Sequence, residues 1–374
     1  MTGGDAPSET QSTSDLLRHL VSVSDPDNRD TYLSMYVDLQ DPHRSKVLHR
    51  RVRAIRSALD DRRLSEAVES MYERGMAMIE ALPDKPRSAA AFLHIDGEAD
   101  LAHGLGARID NAIILDASPY VLPLARFADE YEGFLLVLLD GQRATIHHVE
   151  GAVAEARVEH EHSAIGRHKK GGWSQMRYQR NREGVVKGFY DDVSRQLDEL
   201  LRELGDMRLI LAGPGSAKAQ FQTRLSKRAE GLIVAVEDAD MSDGDTVLLR
   251  RFVELAKEEE DRAEEWYIDR LRHGLLTTGL ATIGVEAVLD AAEAGRVESL
   301  LVAEGHTIPG VKCEPCGAYM FSPGATCPSC DGAGNEVDLA NESVEAAIRS
   351  SSHVEFIDDP FLAEIGGIAA LLRW

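Results

Sequence analysis

The sequence has 374 residues, of which 43% are hydrophobic, and this is enough apolar material for the cores of two or three domains. No apolar run is long enough to span a membrane, so a membrane protein is not expected. Residues 1–14 are small and polar and lack the apolar middle of a signal peptide, so they predict a disordered tail. We therefore expect a cytoplasmic protein with no membrane partner.

The net charge of −23 by itself argues against a nucleic-acid partner. Its composition weakens that argument, because the chain has 9 Lys against 32 Arg, a balance that indicates a salt-adapted or GC-rich organism. High salt screens the repulsion between an acidic protein and RNA over a few ångströms. Local charge patterns are therefore more informative than the total.

The first predicted domain, residues 15–128, alternates strands and helices and is of the α/β type. We predict strands at 32–39, 89–94 and 112–115, and helices at 47–59 and 64–79. Residues 43–53 are basic and contain no acid, so they could face RNA or form the solvated face of a helix.

The second predicted domain, residues 129–250, opens with a hairpin: two apolar runs, 134–139 and 144–149, flank Asp140-Gly141. Apolar residues at helical spacing then predict one long amphipathic helix over 174–204. Strands are predicted at 209–212 and 232–236. The pattern is that of a compact α/β domain.

The third predicted domain, residues 251–374, follows a long charged helix over 245–272 and has helices at 284–294 and 343–350 and strands at 299–302 and 354–357. Its segment 311–332 holds all the cysteines of the chain as two Cys-x-x-Cys pairs. Two such turns bring four thiolates to one point, a tetrahedral set that suits a structural Zn²⁺. The four ligands are Cys313, Cys316, Cys327 and Cys330.

The segment 167–182 has six Arg or Lys residues and no acid inside a strongly acidic chain. Such a cluster indicates an anionic partner, and the pair Gly171-Gly172 allows a close backbone approach. A flexible hairpin tip before a basic helix is the alternative interpretation. The basic, aromatic and hydroxyl residues that we assign to RNA binding are His168, Lys169, Lys170, Trp173, Ser174, Arg177, Arg180 and Arg182.

This segment resembles the Gly-Gly-Gln loop of archaeal and eukaryotic class-one peptide release factors, in which Ser and an Arg-aromatic-x-Arg stretch follow the glycines. Ser174 and the run Arg177-Tyr178-Gln179-Arg180 match that pattern. Residues 133–151, 209–221, 284–304 and 365–374 resemble further segments of the family in the same order, the last being similar to its glycine-rich final helix. The resemblance implies three α/β domains in a release-factor-like arrangement. It implies an RNase H-like middle domain and a ribosomal-protein-like αβα third domain with the inserted zinc ribbon.

The sequence departs from the family at the residue after the glycines, where Trp173 replaces Gln. Gly172-Trp173-Ser174-Gln175 fits instead a Gly-x-x-Gln pattern, which is similar to the Vms-type (ankyrin-repeat/zinc-finger) peptidyl-tRNA hydrolases. That branch implies catalytic roles for Gln175, for the glycine pair Gly171 and Gly172, and for Arg167. The reaction is either hydrolysis of the peptidyl-tRNA ester or cleavage near the tRNA 3′ end.

The resemblance implies the ribosome as the partner, through rRNA and peptidyl-tRNA, together with a translational GTPase, and we expect a monomer. It predicts a factor that hydrolyses peptidyl-tRNA on stalled ribosomes or large subunits, in ribosome rescue and quality control. The alternative is a non-catalytic ribosome-binding factor of the Pelota-like splitting or Balon-like hibernation kind. No Asn-Ile-Lys-Ser motif is present, so decoding of stop codons is not expected.

Overall fold

The structure is a computed structural model. It describes residues 13–24, 29–83, 86–97, 99–131, 133–150, 153–161, 174–205, 207–241, 243, 245–322 and 326–374. Contacts divide the chain into two units, one formed by the chain up to Tyr131 and from Ala263 onward, the other by Glu132–Arg262. The predicted domain boundaries after residues 128 and 250 stay predictions.

The N-terminal part of the first unit is an antiparallel sheet covered by helices. Its elements are α1 (Thr13–Leu20), β1 (Tyr32–Asp38), α2 (Arg44–Ala58), α3 (Arg62–Glu80), β2 (Ser88–His94), β3 (Leu101–Leu105), β4 (Ala112–Asp116) and α4 (Leu122–Glu130). The sheet order is β3-β2-β1-β4, and neighbouring strands pair antiparallel. Helices α2 and α3 bury Leu48, Val52, Val68 and Met71 in one core with the sheet.

The prediction of a tail over 1–14 is wrong at its end, since Thr13 and Ser14 begin α1. Residues 1–12 lie outside the described residues. Helix α1 forms because Leu16, Leu17 and Leu20 share one apolar face, which is buried. The predicted strands and helices of this region are confirmed within a few residues, whereas α1, β3 and α4 were not predicted.

The second unit has one mixed sheet in the order β7-β6-β5-β8-β9. Its elements are β5 (Phe134–Leu139), β6 (Arg143–Glu150), β7 (Val153–Glu161), α5 (Ser174–Leu204), β8 (Arg208–Gly213), α6 (Gly215–Gln222), α7 (Lys227–Gly231) and β9 (Ile233–Asp238). Strands β5, β8 and β9 are parallel to one another. Strand β6 pairs antiparallel with β5 on one side and with β7 on the other. The apolar run of β5 is buried on both faces, as the centre of a covered sheet requires.

The predicted hairpin of β5 and β6 is confirmed, with Leu139 opposite Ala144. The Asp140 N–H donates to the carbonyl of Arg143 at 2.9 Å, and the Asp140 carboxylate accepts from the N–H groups of Gln142 and Arg143. The central turn residues are therefore Gly141 and Gln142, one position later than the predicted Asp-Gly pair. Asp140 contributes its side chain to the turn instead.

The C-terminal part follows a long helix whose predicted bounds are confirmed within one residue. The elements are α8 (Asp245–His273), a π-helical turn (Gly274–Thr278), β10 (Ala281–Ile283), α9 (Val285–Glu293), β11 (Val297–Ala303), β12 (Pro309–Cys313), β13 (Tyr319–Met320), β14 (Gly334–Asp338), α10 (Leu339–Arg349), β15 (His353–Ile357), α11 (Pro360–Glu364) and β16 (Ile368–Leu372). One sheet has the order β10-β16-β11-β15, and β13-β12-β14 is a separate ribbon. The described chain is thus a mixed α/β protein with four sheets.

The similarity of residues 365–374 to a glycine-rich final helix is wrong. Residues Ile368–Leu372 form β16, which pairs antiparallel with β10 and β11 and is buried at every position. A strand covered on both faces reads as a continuous apolar run, which periodicity alone does not distinguish from a buried helix. Gly366 and Gly367, at φ of 105° and 74°, make the turn into it.

Helix α10 joins the N-terminal and C-terminal parts of the first unit through buried hydrogen bonds. The Asn341 amide oxygen accepts from the N–H groups of Val121 and Leu122 at 2.9 and 3.0 Å, and so caps the start of α4. The Ser118 hydroxyl and the Asn341 amide donate to Glu345 at 2.9 and 2.8 Å. We call this set of contacts between α10 and residues 118–122 the α10 junction.

Candidate functional site

The predicted catalytic segment lies between β7 and α5 of the second unit. Residues 162–173 are outside the described residues, and the predicted site residues among them are Arg167, His168, Lys169, Lys170, Gly171, Gly172 and Trp173. Their proposed roles therefore stay predictions. The described elements on either side show where the segment starts and ends in the chain, at Glu161 and Ser174.

Helix α5 begins at Ser174 and ends at Leu204, which are the predicted bounds. For residues 174–183 the structure describes the backbone. Gln175 is the second residue of the helix, and its first turn contains no acid. The remaining predicted RNA-binding residues, Arg177, Arg180 and Arg182, lie in the first three turns. The main-chain N–H groups of a first helical turn have no partner within the helix.

The second half of α5 is fixed to the sheet. Its buried side chains, all at most 7% exposed, are Phe189, Tyr190, Val193, Leu197, Leu200 and Leu201. The Tyr190 hydroxyl donates to the carbonyl of Asp140 at 3.3 Å, and the Ser194 hydroxyl donates to the carbonyl of Arg224 at 2.9 Å. The site residues at the start of α5 are thus attached to a helix that is held firmly from Phe189 onward.

The stretch of α5 between the site and the packed half is mostly exposed, although Val186 packs against the core. Gly184 and Gly188 are both exposed, and a Cβ atom added at either would meet nothing within 4 Å. Val185 is 36% exposed. Because glycine weakens a helix interior by about 1 kcal/mol relative to alanine, this stretch is the least stable part of α5 for which side chains are described.

The strand that leads to the segment is also attached to α5. The imidazole ring of His160 in β7 stacks on the ring of Phe189 with centroids 5.8 Å apart and an interplanar angle of 18°. His160 is therefore a strand residue packed on helix α5. His162 lies outside the described residues. The two ends of the predicted catalytic segment consequently belong to elements that contact each other.

The four cysteines converge at one point in the ribbon of β12, β13 and β14. Their sulfur atoms all lie within 4.8 Å of one another. Sulfur–sulfur distances are 3.4 Å for Cys313–Cys330 and 3.5 Å for Cys316–Cys327. A tetrahedral Cys₄ zinc site with Zn–S bonds of about 2.3 Å places its sulfurs about 3.8 Å apart, so the arrangement fits such a metal.

The environment favours the anionic form that a metal requires at Cys327, whereas burial raises the pKa of the Cys313 thiol to about 12. Main-chain N–H groups of Ser329 and Cys330 donate to Cys327 and lower the pKa of its thiol to about 6. The Gly317 N–H donates to the Cys313 carbonyl at 2.8 Å, and Gly317 has a φ of 71°. That left-handed residue completes the tight turn of the first Cys-x-x-Cys pair.

Comparisons with known proteins find similar sequences that include most of the second unit. The family model described as "Bacterial archaeo-eukaryotic release factor family 10" matches residues 119–257. Peptide chain release factor subunit 1 of Pyrococcus abyssi is 28% identical over 290 residues, which are 67% of this chain and 69% of that protein. The same factor of Archaeoglobus fulgidus is 28% identical over 289 residues, 69% of this chain and 70% of that protein.

Over about two thirds of its length, the chain is similar to archaeal peptide chain release factors.

Among solved structures, the archaeal translation termination factor aRF1 covers 97% of both chains with a TM-score of 0.30 and 21% identity. Dom34 of S. cerevisiae covers 74% of each chain with a TM-score of 0.44 and 15% identity. The similarity to release factors rests on the sequence matches. No helix in the described ranges has the length and apolarity that a bilayer crossing needs.

One cavity in the first unit was not predicted. Its volume is about 390 Å³, and its walls come from the loop before β4, from α4 and from the loop after β11. Arg126 in its wall forms an ion pair with Glu304 at 3.0 Å. Arg108, on the opposite wall, pairs with Asp38 and Asp110. No sequence pattern marks this cavity, because its residues come from segments far apart in the chain.

Proposed function

We propose that this protein is a translation factor that hydrolyses peptidyl-tRNA on stalled ribosomes or on free large subunits. One observation carries the proposal: Gln175 is the second residue of α5 and directly follows the basic Gly-Gly segment. Gln175 thus supplies a side-chain amide three positions after the second glycine, Gly172, in a chain that is similar to release factors. We also propose that the protein is of the Vms-type branch of peptidyl-tRNA hydrolases.

The chemistry that this arrangement supports is the placement of a water molecule at an ester. Ester hydrolysis needs an oriented nucleophile and donors that stabilise the developing oxyanion. Gln175 would orient the water as a neutral hydrogen-bonding group, and Arg167 would stabilise negative charge. The N–H groups at the start of α5 add donors that favour an anion. If the bond cleaved is a phosphodiester near the tRNA 3′ end, Arg167 has the larger role.

The same proposal names the cellular context. The partner is the ribosome, contacted through rRNA and peptidyl-tRNA, together with a translational GTPase, and the site of action is the cytoplasm. The protein acts as a monomer. The support for this context is the similarity to curated relatives named peptide chain release factor subunit 1.

The cysteine cluster is proposed to hold one structural Zn²⁺ through Cys313, Cys316, Cys327 and Cys330. All ligand positions of a tetrahedral ion would be filled by protein, so the metal would stabilise the ribbon and would not bind substrate. The zinc site and the hydrolytic site are thus separate proposals, in separate units.

A second candidate function is supported by Trp173. In this alternative the protein binds the ribosome without cleaving peptidyl-tRNA, as a Pelota-like splitting factor or a Balon-like hibernation factor. Trp173 stands directly after the glycines, and an indole cannot replace the amide that release factors carry at that position. An indole can stack on a base of rRNA or tRNA, which is worth about 1–3 kcal/mol per base.

The test compares Gln175→Ala with Gln179→Ala, which alters the same residue type one helical turn later. Each protein is incubated in high salt with stalled large subunits that carry labelled peptidyl-tRNA. We expect Gln175→Ala to lower the release rate by about 100-fold with unchanged co-sedimentation, and Gln179→Ala to behave as wild type. Sequencing of the tRNA 3′ end identifies the bond that is cleaved.

Equal release by wild type and Gln175→Ala would defeat the hydrolytic proposal. If wild type releases nothing and Trp173→Ala abolishes co-sedimentation, the binding function is supported instead.

A further inference from the structure

Helix α2 in the N-terminal part of the first unit has an unusual charge pattern. Its residues Arg44–Ala58 include six Arg or Lys and no acid, although the chain as a whole carries a net charge of −23. The six cations are Arg44, Lys46, Arg50, Arg51, Arg53 and Arg56. The hydrolytic proposal does not use this helix, which is far from α5 in the sequence.

The structure separates the two faces of α2. Leu48 and Val52 are buried against the sheet and α3, whereas Lys46, Arg50 and Arg53 are exposed. These three residues recur at spacings of four and three and so form one stripe, about 10 Å long from first to last. The stripe is a row of cations on a helix whose opposite side is anchored in the core.

Carboxylates do not neutralise the stripe. Among the residues that the structure describes, the side chains of Lys46 and Arg50 have no hydrogen bond or ion pair, and the side chain of Arg53 donates only to the carbonyl of His49, at 3.3 Å. On the neighbouring α3, by contrast, the exposed Arg62 pairs with Glu66 at 2.8 Å, the usual arrangement of a solvated helix face. The stripe therefore differs from an ordinary charged surface.

The pattern is unfavourable for the helix itself. Arg44 and Lys46 lie near its N-terminus, where the helix dipole disfavours cations. Lys46 with Arg50 and Arg50 with Arg53 are like-charge pairs at positions that face each other, and each such pair destabilises a helix by about 0.2–0.5 kcal/mol. Local conflicts of this kind are expected at functional sites.

We propose that the Lys46–Arg50–Arg53 stripe binds the phosphate backbone of a double-helical RNA. Lysine and especially arginine side chains match phosphate oxygens in charge and in hydrogen-bonding geometry. The one ring within α2 is the imidazole of His49, whose Nδ1 lies 2.7 Å from the carbonyl oxygen of Ser45 and which packs edge-on against the ring of Tyr72. The stripe therefore offers no row of free rings on which successive unstacked bases could pack. Recognition of single-stranded RNA relies on such stacking, whereas duplex RNA is recognised through its shape and backbone.

An anionic membrane is the less favourable partner for this face. Helices that lie on membranes place large apolar residues beside their cations, to insert below the headgroups. The only large hydrophobic residue on the exposed side of α2 is Val47, at 40% exposure. The face can attract a polyanion but has little to insert into a bilayer.

The test measures binding of a generic RNA duplex to the full-length protein over a range of salt concentrations, without ribosomes. The variant is Lys46→Gln/Arg50→Gln/Arg53→Gln, in which glutamine retains the helix propensity of the removed residues. Each lost phosphate contact is expected to reduce the slope of log K against log salt by about one, so the slope falls by about three. Affinity at low salt is expected to fall at least tenfold.

Arg62→Gln is the matched control, because it removes an exposed arginine that already has a carboxylate partner in the adjacent helix. It is expected to bind the duplex as wild type does, and circular dichroism checks that all variants are folded. An unchanged slope in the triple variant overturns the proposal. Tighter binding to single-stranded RNA, or to vesicles of anionic lipid, also overturns it.

The outcome is independent of the proposed hydrolysis. Gln175→Ala is expected to retain duplex binding with the wild-type slope, while the triple variant is expected to retain the chemistry of the Gly-Gly segment. The two proposals can therefore fail separately.

Discussion

The cysteine cluster and the α10 junction both bring polar groups together in the first unit, but the groups differ in kind. The cluster brings together four atoms of one type, thiol sulfurs within 4.8 Å of one another. The junction combines donors and acceptors: Asn341 and Glu345, at 1% and 2% exposure, are hydrogen-bonded to Val121, Leu122 and Ser118. A set of like ligands needs a cation to hold it, whereas a mixed set can be satisfied within the chain.

The two regions are also connected through one carboxylate. Glu342 of α10 is 1% exposed and accepts from Lys312 at 2.9 Å and from the Tyr319 hydroxyl at 2.7 Å. Lys312 and Tyr319 belong to the ribbon, one residue before Cys313 and three after Cys316. The ribbon therefore supplies hydrogen-bond donors to a buried carboxylate of α10, the helix that forms the junction. This connection makes the comparison testable, because unfolding of the ribbon should also destabilise α10.

The largest effect is expected from removing the metal. Cys313→Ser, or chelation of the wild-type protein, should reduce zinc content from one ion per chain to none and unfold the ribbon. Structural zinc sites supply on the order of 10 kcal/mol to the folding of small metal-binding modules. Elemental analysis measures the zinc, and hydrogen exchange over residues 309–338 measures the unfolding. Exchange in α10 should also rise, since Glu342 loses both partners.

Exchange confined to the ribbon, with α10 still protected, would show that the junction does not depend on it. A full zinc content in Cys313→Ser would contradict the assignment of that thiol as a ligand. Refilling chelated protein with Zn²⁺ is the control, because it should restore protection in both regions.

This contrast also explains which features the sequence could reveal. The cysteine cluster is visible because its ligands lie within eighteen residues and carry a recognisable spacing. Helix α5 was predicted with its observed bounds because its apolar stripe repeats over several turns. Both signals are local patterns of residue type.

The α10 junction had no such signal. Ser118 and Glu345 are 227 positions apart, and nothing in the sequence connects them. Strand β16 was mistaken for a helix for a related reason, since its burial on both faces depends on β10 and β11. Gln175 and Trp173 were selected by motif alone, and their side chains lie outside what the structure describes. A feature whose residues lie far apart in the sequence can be recognised only in the folded structure.

An intermediate effect is expected from pH, which acts on the α10 junction. Burial, followed by the charge of Glu342, raises the pKa of Glu345 from 4.5 to about 7. A group with a raised pKa in the folded state stabilises fully below its unfolded pKa and loses that contribution as pH rises through about 7. The titration of Glu345 alone should therefore lower the free energy of unfolding by roughly 2–3 kcal/mol between pH 5 and pH 8, and the raised pKa values of Asp116 and Asp30 act in the same direction.

Urea denaturation followed by tryptophan fluorescence checks this, in a Trp173→Phe background so that only Trp266 and Trp374 report. Other groups face Glu345 in the junction, including Arg349, whose positive charge lowers that pKa. Glu345→Gln removes the titration but keeps an oxygen that can accept from Ser118 and Asn341. Its pH profile should be flatter than that of wild type, and identical profiles would show that Glu345 is not the titrating group.

The smallest effect is expected from Asn341→Ala, because it removes hydrogen bonds and no charge. Helix α4 has no capping side chain of its own, so Asn341 is the acceptor for its first N–H groups. Loss of a cap costs about 1–2 kcal/mol, measured by the same urea denaturation. Asn341→Asp keeps the acceptor oxygen but places a second carboxylate beside Glu345. It should therefore cost less than alanine at pH 5 and more at pH 8. If both variants lose the same stability at both pH values, Asn341 contributes packing and not the cap. The junction would then be stabilised by packing, as an apolar core is, and not by its hydrogen bonds.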